Sequence, residues 1–273
     1  MRSSTPWLAA EHTTEVKPGV FFVEGPASNW VILADAEVAL IDTGYPSDRD
    51  NLEQSLRHTG HKPEDVKSIL VTHGHSDHIG SAEHYRSTYG SLIYAFADEV
   101  PNVRRSEKHQ VGFKAALPYL WRWRIAAWAL HAYRSGGLTD VGVGEVKSFT
   151  PGRSLDAPGR PVPIAVPGHT PGHTCYYLPD QKIMVLGDAF VTGHPTTPDD
   201  GPQLLHPMFH SDDEQARRSL AALAKFDVDI YLPGHGPAGV GPIGGIIASL
   251  ESQARPASSA GGQKPGVPRT REA

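Results

Sequence analysis

Short apolar runs separated by polar punctuation organise this chain. Residues 20–23, 29–33 and 38–41 are three such runs, split by Gly25-Pro26 and by Ala34-Asp35-Ala36-Glu37. Runs of this length bounded by turn formers predict consecutive antiparallel strands. Leu52 and Leu56 recur at helical spacing among charged neighbours, which predicts a helix over 48–59. A strand over 68–71, a helix over 79–89 stopped by Gly90, and a strand over 92–95 follow. Beyond residue 148 the strand pattern returns at 163–166, 175–178, 182–186 and 229–232, with helices over 214–226 and 243–250. Strands interleaved with helices in this order predict a layered α/β domain over 19–250. Residues 1–18 are polar and read as an irregular segment, and the Ala/Ser/Gly/Pro-rich 251–273 reads as a disordered tail.

Residues 98–148 break the rhythm and read as a helical insert closed by Gly136-Gly137. Three of the five tryptophans, Trp121, Trp123 and Trp128, fall here, interleaved with Arg122 and Arg124. Such a segment can be an ordinary core helix, a homodimer surface or the wall of a substrate pocket. An interfacial membrane helix of this length is short. The pocket reading assigns substrate contacts to Trp121, Trp123 and Trp128, together with His194 from the His/Pro/Asp-rich loop over 192–212.

Composition narrows the function classes. The formal net charge of −5 over 273 residues offers no basic field for nucleic acid. A single cysteine, Cys175, excludes an intramolecular disulfide and a cysteine-only metal site. The N-terminal residues lack the apolar core of a signal peptide, and no apolar run reaches the ~18 residues of a membrane span. A cytoplasmic enzyme acting on a small molecule, without stable membrane insertion, is the expectation.

The chemistry concentrates at strand ends. The strand over 68–71 runs into Val71-Thr-His73-Gly-His75-Ser-Asp77-His78, four metal-type side chains within six residues. His169, Asp188 and His235 each follow another apolar run in a Gly-flanked turn. Seven candidate ligands exceed what one tetrahedral ion needs and fit two ions sharing a bridge. A carboxylate such as Asp188 can span both, whereas imidazole cannot. Two ions ~3.5–4 Å apart can hold a bridging hydroxide at neutral pH and polarise a carbonyl, which is hydrolysis without a protein nucleophile.

The motifs His-x-His-x-Asp-His at 73–78, Gly-His-Thr-Pro-Gly-His at 168–173, Gly-Asp-Ala at 187–189 and Pro-Gly-His-Gly at 233–236 resemble those of the metallo-β-lactamase superfamily. That resemblance implies a four-layered αβ/βα sandwich with the metals at the edge of two facing sheets. It implies that His73, His75 and His169 hold one divalent ion, that Asp77, His78 and His235 hold the other, and that Asp188 bridges them. Zinc is the first expectation, with iron or manganese as alternatives. Asp77 would also orient the nucleophile, and Asp42 in Ile41-Asp42-Thr43-Gly44 would orient a ligand histidine from behind. His173 reads as structural or as a support behind the ligands. Among the branches, glyoxalase II and lactonases share these ligands, whereas β-lactamases of this fold lack a bridging carboxylate. The expected activity is hydrolysis of an ester, thioester or lactone. The alternative is a mononuclear iron persulfide dioxygenase.

Overall fold

The computed structural model describes residues 7–252. Seven strands form one sheet in sequence order: β1 (Thr13–Lys17), β2 (Val20–Val23), β3 (Trp30–Ala34), β4 (Val38–Ile41), β5 (Val66–Leu70), β6 (Leu92–Phe96) and β7 (Lys147–Phe149). Five strands form a second sheet: β8 (Val162–Ala165), β9 (Thr174–Leu178), β10 (Ile183–Gly187), β11 (Ile230–Pro233) and β12 (Gly239–Val240), in the order β12-β11-β10-β9-β8. The first four strands pair antiparallel, while β4, β5, β6 and β7 run parallel to one another.

Side-chain alternation along β3 shows how the layers are built. Val31 and Leu33 point into the space between the sheets, where they pack with Tyr176, Leu178, Val185 and Leu232 of the second sheet. Trp30 and Ile32 point the other way, onto Leu52, Leu56 and Tyr85 from helices Arg49–His58 and Ala82–Tyr89. The outer face of the second sheet packs Met184 and Leu186 against Leu220, Leu223, Ile247 and Leu250. The result is helix, sheet, sheet, helix: the four-layered αβ/βα sandwich. No helix among the described residues is long and apolar enough to cross a membrane.

Three strands lie where the apolar pattern is silent. The expectation of an irregular 1–18 is corrected only for its described part, where Ala9–His12 is a helical turn and β1 pairs antiparallel with β2; residues 1–6 lie outside the described residues. β1, β7 and β12 are all edge strands, held by main-chain bonds on one side, so they need no buried apolar run. Residues 98–148 are also more than a helical insert. They include helices Val100–Val103, Phe113–Ala116 and Trp123–Arg134, the intervening loops and β7. The last helix does stop where Gly136-Gly137 predicts. Gly136 adopts φ +85° and the Gly137 N–H donates to the Ala132 carbonyl. Glu251 and Ser252 close helix Ile243–Ser252, and the rest of the expected disordered tail lies outside the described residues.

Cys175 is buried in β9 with its thiol against the Leu186 carbonyl at 3.2 Å, and burial pushes its pKa up. Native protein is therefore expected to resist iodoacetamide and to be labelled once only after unfolding, read by intact mass. Labelling of the native chain at the unfolded rate would contradict this packing.

Candidate metal centre

The ligand-type residues meet because parallel strands end on one edge. β4 and β5 run parallel, as do β10 and β11, so Asp42, the 72–78 loop, Asp188 and His235 emerge together. His169 comes from the loop between β8 and β9. Their ligand atoms form three overlapping groups, each within 4.8 Å: His73/His75/His169, His73/His78/Asp188 and Asp77/His78/His235. Asp188 is central. One of its oxygens lies 3.5 Å from His169 Nε2 and 3.3 Å from His235 Nε2, and the other lies 3.5 Å from His78 Nε2. Asp77 Oδ2 stands 3.6 Å from His235 Nε2 and 3.9 Å from His78 Nε2.

Each imidazole is oriented from outside. His75 Nε2 donates to the His109 carbonyl at 2.6 Å, His235 Nδ1 to the Ala27 carbonyl at 2.7 Å, and His78 Nδ1 to Asp42 at 2.8 Å. In the neutral ring, a proton held on the outer nitrogen leaves the inner nitrogen with a free lone pair aimed at the cluster. His73 Nδ1 faces Thr72 Oγ1, and His169 Nδ1 faces His210 Nδ1. Asp42 takes φ +62° at the end of β4, which turns its carboxylate inward. There it accepts from the Thr72 N–H at 2.8 Å and from the Thr72 hydroxyl at 2.6 Å as well as from His78.

The inner atoms fit a cation. His73 Nε2, His78 Nε2 and Asp188 Oδ1 are buried and have no hydrogen-bond partner. Leaving such groups unpaired costs about 1–3 kcal/mol each, and a bound cation would satisfy all three. Charge follows the same logic. Burial, with His78, His75 and His169 nearby, drives His73 well below the usual histidine range, and His169 is lowered for similar reasons. Burial lowers His75 to about 4. Burial also opposes charge on His78, but Asp188, Asp42 and Asp77 outweigh it and raise its pKa to about 10. Asp188 resists ionisation through burial, yet His235 and His78 hold it far below the carboxylate range.

The chain belongs to the metallo-β-lactamase superfamily. Residues 23–235 match the Metallo-beta-lactamase superfamily. The "Probable metallo-hydrolase YflN" of Bacillus subtilis (strain 168) is 26% identical over 230 residues, 80% of each chain. The "Metallo-beta-lactamase domain-containing protein 1" of Xenopus laevis is 28% identical over 72% of this chain and 66% of that protein. The fold also matches a solved metallo-beta-lactamase family protein from Thermus thermophilus, with TM-score 0.65, 23% identity and coverage of 88% of this chain and 80% of that one.

Within this superfamily fold, the chain supports its ligand loops with residues the sequence reading overlooked. The buried Glu99 carboxylate accepts from the Gly74 N–H at 2.8 Å, the Asn102 amide at 2.7 Å, the Thr170 hydroxyl at 2.7 Å and the Gly172 N–H at 2.8 Å. It thereby joins the loop of His73 and His75 to the loop of His169. Arg105 donates to the Gly74 carbonyl at 2.7 Å and to Ser76 Oγ at 3.1 Å. Both lie in the segment read as a separate insert. The available signal was position: Glu99 closely follows β6, as Asp42 and Asp188 follow their strands. His173 sits outside the three groups and accepts the Asp188 N–H at 3.0 Å, which fixes that residue's backbone. A side chain at Gly234 would put Cβ 2.2 Å from Asp188 Oδ1, so glycine is needed there.

A cavity of about 370 Å³ opens onto the centre at His75, Asp77, Asp188 and His235. Trp128 and His194 line it, and Trp128 meets Phe209 edge-to-face at 5.0 Å. His194 is held by Thr196 Oγ1 at 2.7 Å, and burial lowers its pKa to about 3. The expectation for Trp121 and Trp123 is corrected: they are 82% and 72% exposed and do not line the cavity. The turn Leu117–Tyr119 is followed by an extended Arg122 (φ −81°, ψ 111°), so the helix starts only at Trp123. Its inward face is thus set by Ile125 and Trp128.

Proposed function

We propose that this metal-dependent hydrolase holds two divalent ions, zinc first, and cleaves an ester, thioester or lactone. The observation that carries the reading is the position of Asp188, whose carboxylate stands within 3.5 Å of His169, His78 and His235 at once. His73, His75 and His169 would hold one ion and Asp77, His78 and His235 the other, with Asp188 shared. Such ions acidify a water and polarise a carbonyl oxygen. The protein's own part is positioning. Asp42, His109 and Ala27 fix three imidazoles, and the apolar wall around Trp128 excludes bulk water. Asp77 lines the cavity, with Oδ2 3.6 Å from His235 Nε2, and in this reading it would take a proton from the attacking water and return it to the leaving group.

Metal analysis of the purified chain, paired with activity after chelation and zinc return, tests this. Two ions per chain and recovered ester, thioester or lactone hydrolysis are expected. One iron per chain with persulfide oxidation would replace the dinuclear reading by the dioxygenase one.

A further inference from the structure

We infer that the substrate carries a neutral, apolar acyl arm of up to about ten carbons. This rests on the hydrolase reading above and adds the acyl group to it. The cavity that meets Asp77 and Asp188 is walled by Val111, Leu120, Trp128, Leu205 and Phe209. Among the described residues no lysine or arginine lines it, and the carboxylates that do are Asp77 and Asp188 at the metal end. Two nearby guanidinium groups are engaged with protein oxygens. Arg105 is bound to the Gly74 carbonyl and Ser76 Oγ, and Arg124 donates to the Thr197 carbonyl at 3.0 Å. A substrate with a carboxylate on its acyl arm would bury that charge without a partner, at a cost of several kcal/mol.

Size sets the upper bound. At roughly 30 Å³ per water-sized group, about 370 Å³ accommodates roughly a dozen non-hydrogen atoms. Trp128, Phe209 and His194 pack on one another, with ring separations of 5.0 Å and 5.2 Å, and form a rigid part of the wall. An alkyl chain gains there by leaving water, and the polar side chains on the lining away from the reacting end, Tyr45, Gln110 and Tyr133, carry no formal charge to meet an anion.

The metal-loaded full chain should be assayed on p-nitrophenyl esters from acetate to dodecanoate, below their micelle concentrations. We expect kcat/KM to rise about threefold per added methylene and to level off near decanoate. The p-nitrophenyl monoester of decanedioic acid, equal in length but ending in a carboxylate, should react at least about 100-fold more slowly than decanoate. Trp128→Ala should lower the decanoate-to-acetate ratio about tenfold, whereas Trp123→Ala, on an exposed indole, should leave it unchanged. A flat series, equal rates for the two ten-carbon esters, or an unchanged ratio in a folded Trp128→Ala protein overturns the inference. If no p-nitrophenyl ester is cleaved, the ester part of the hydrolase reading fails by itself, thioester and lactone hydrolysis are left standing, and calorimetric binding decides the arm. Octanamide bound about 700-fold more tightly than acetamide supports it, and equal binding overturns it.

Discussion

Asp188→Ala is expected to give a folded protein that holds fewer than two metal ions and has lost at least about 10³-fold in kcat/KM, about 4 kcal/mol of transition-state stabilisation. Asp188 is the one carboxylate within 3.5 Å of His169, His78 and His235, and it is 3% exposed. No neighbouring side chain can take its place, because Gly234 and His173 are fitted closely around it. The loss of a buried anion also leaves His78 and His235 with less to balance their charge, so some histidine pKa values should fall towards neutral imidazole. Metal content by mass spectrometry and kcat/KM on the same preparation read the result. Two ions and full activity in the variant would sink the bridging role.

Glu99→Ala should act on stability and metal affinity together, although Glu99 belongs to none of the three ligand groups. Its carboxylate takes two backbone N–H groups, one hydroxyl and one amide, all buried. Hydrogen bonds to a charged acceptor contribute about 1.5–3 kcal/mol each, and the truncation strands the Gly74 and Gly172 N–H groups. A loss of about 3–5 kcal/mol in denaturant unfolding of metal-free protein is expected, with weaker metal binding after refolding. Glu99→Gln retains the shape but turns an NH₂ towards those donors, so an intermediate effect is expected. Wild-type stability and metal affinity in Glu99→Ala would refute this keystone role.

The contrast between Asp188 and Glu99 explains what was legible in the sequence. His73, His75, Asp77, His78, His169, Asp188 and His235 stand out because each follows an apolar run and sits in a glycine-flanked turn, a local signal. Glu99 carries the same chemistry, but its partners at Gly74, Thr170 and Gly172 are reached only through tertiary contact. The layered fold could be read because buried strands are dense in apolar residues, whereas β1, β7 and β12 at the sheet edges are specified by pairing. The insert failed for a different reason. A continuous helix through 119–133 misses the extended Arg122 that delays the helix to Trp123, so it assigns Trp121 and Trp123 the wrong direction, and of the three tryptophans only Trp128 reaches the cavity.

The two sheets also come from opposite halves of the chain, and the ligand groups draw on both. His73 and His75 follow β5 in the first sheet, while His169 and Asp188 belong to the second half, with His235 arriving after β11. Any ion held there is a clasp between two stretches of polypeptide made at different times. During synthesis the first sheet can pair before its partner exists, but the clasp cannot close until residue 235 has left the ribosome. Completion of the ligand set is thus a late event of synthesis, and the free energy of any ion bound there would add to the sheet-to-sheet contact. Stripping the ions would loosen the seam between the halves as well as silence the chemistry.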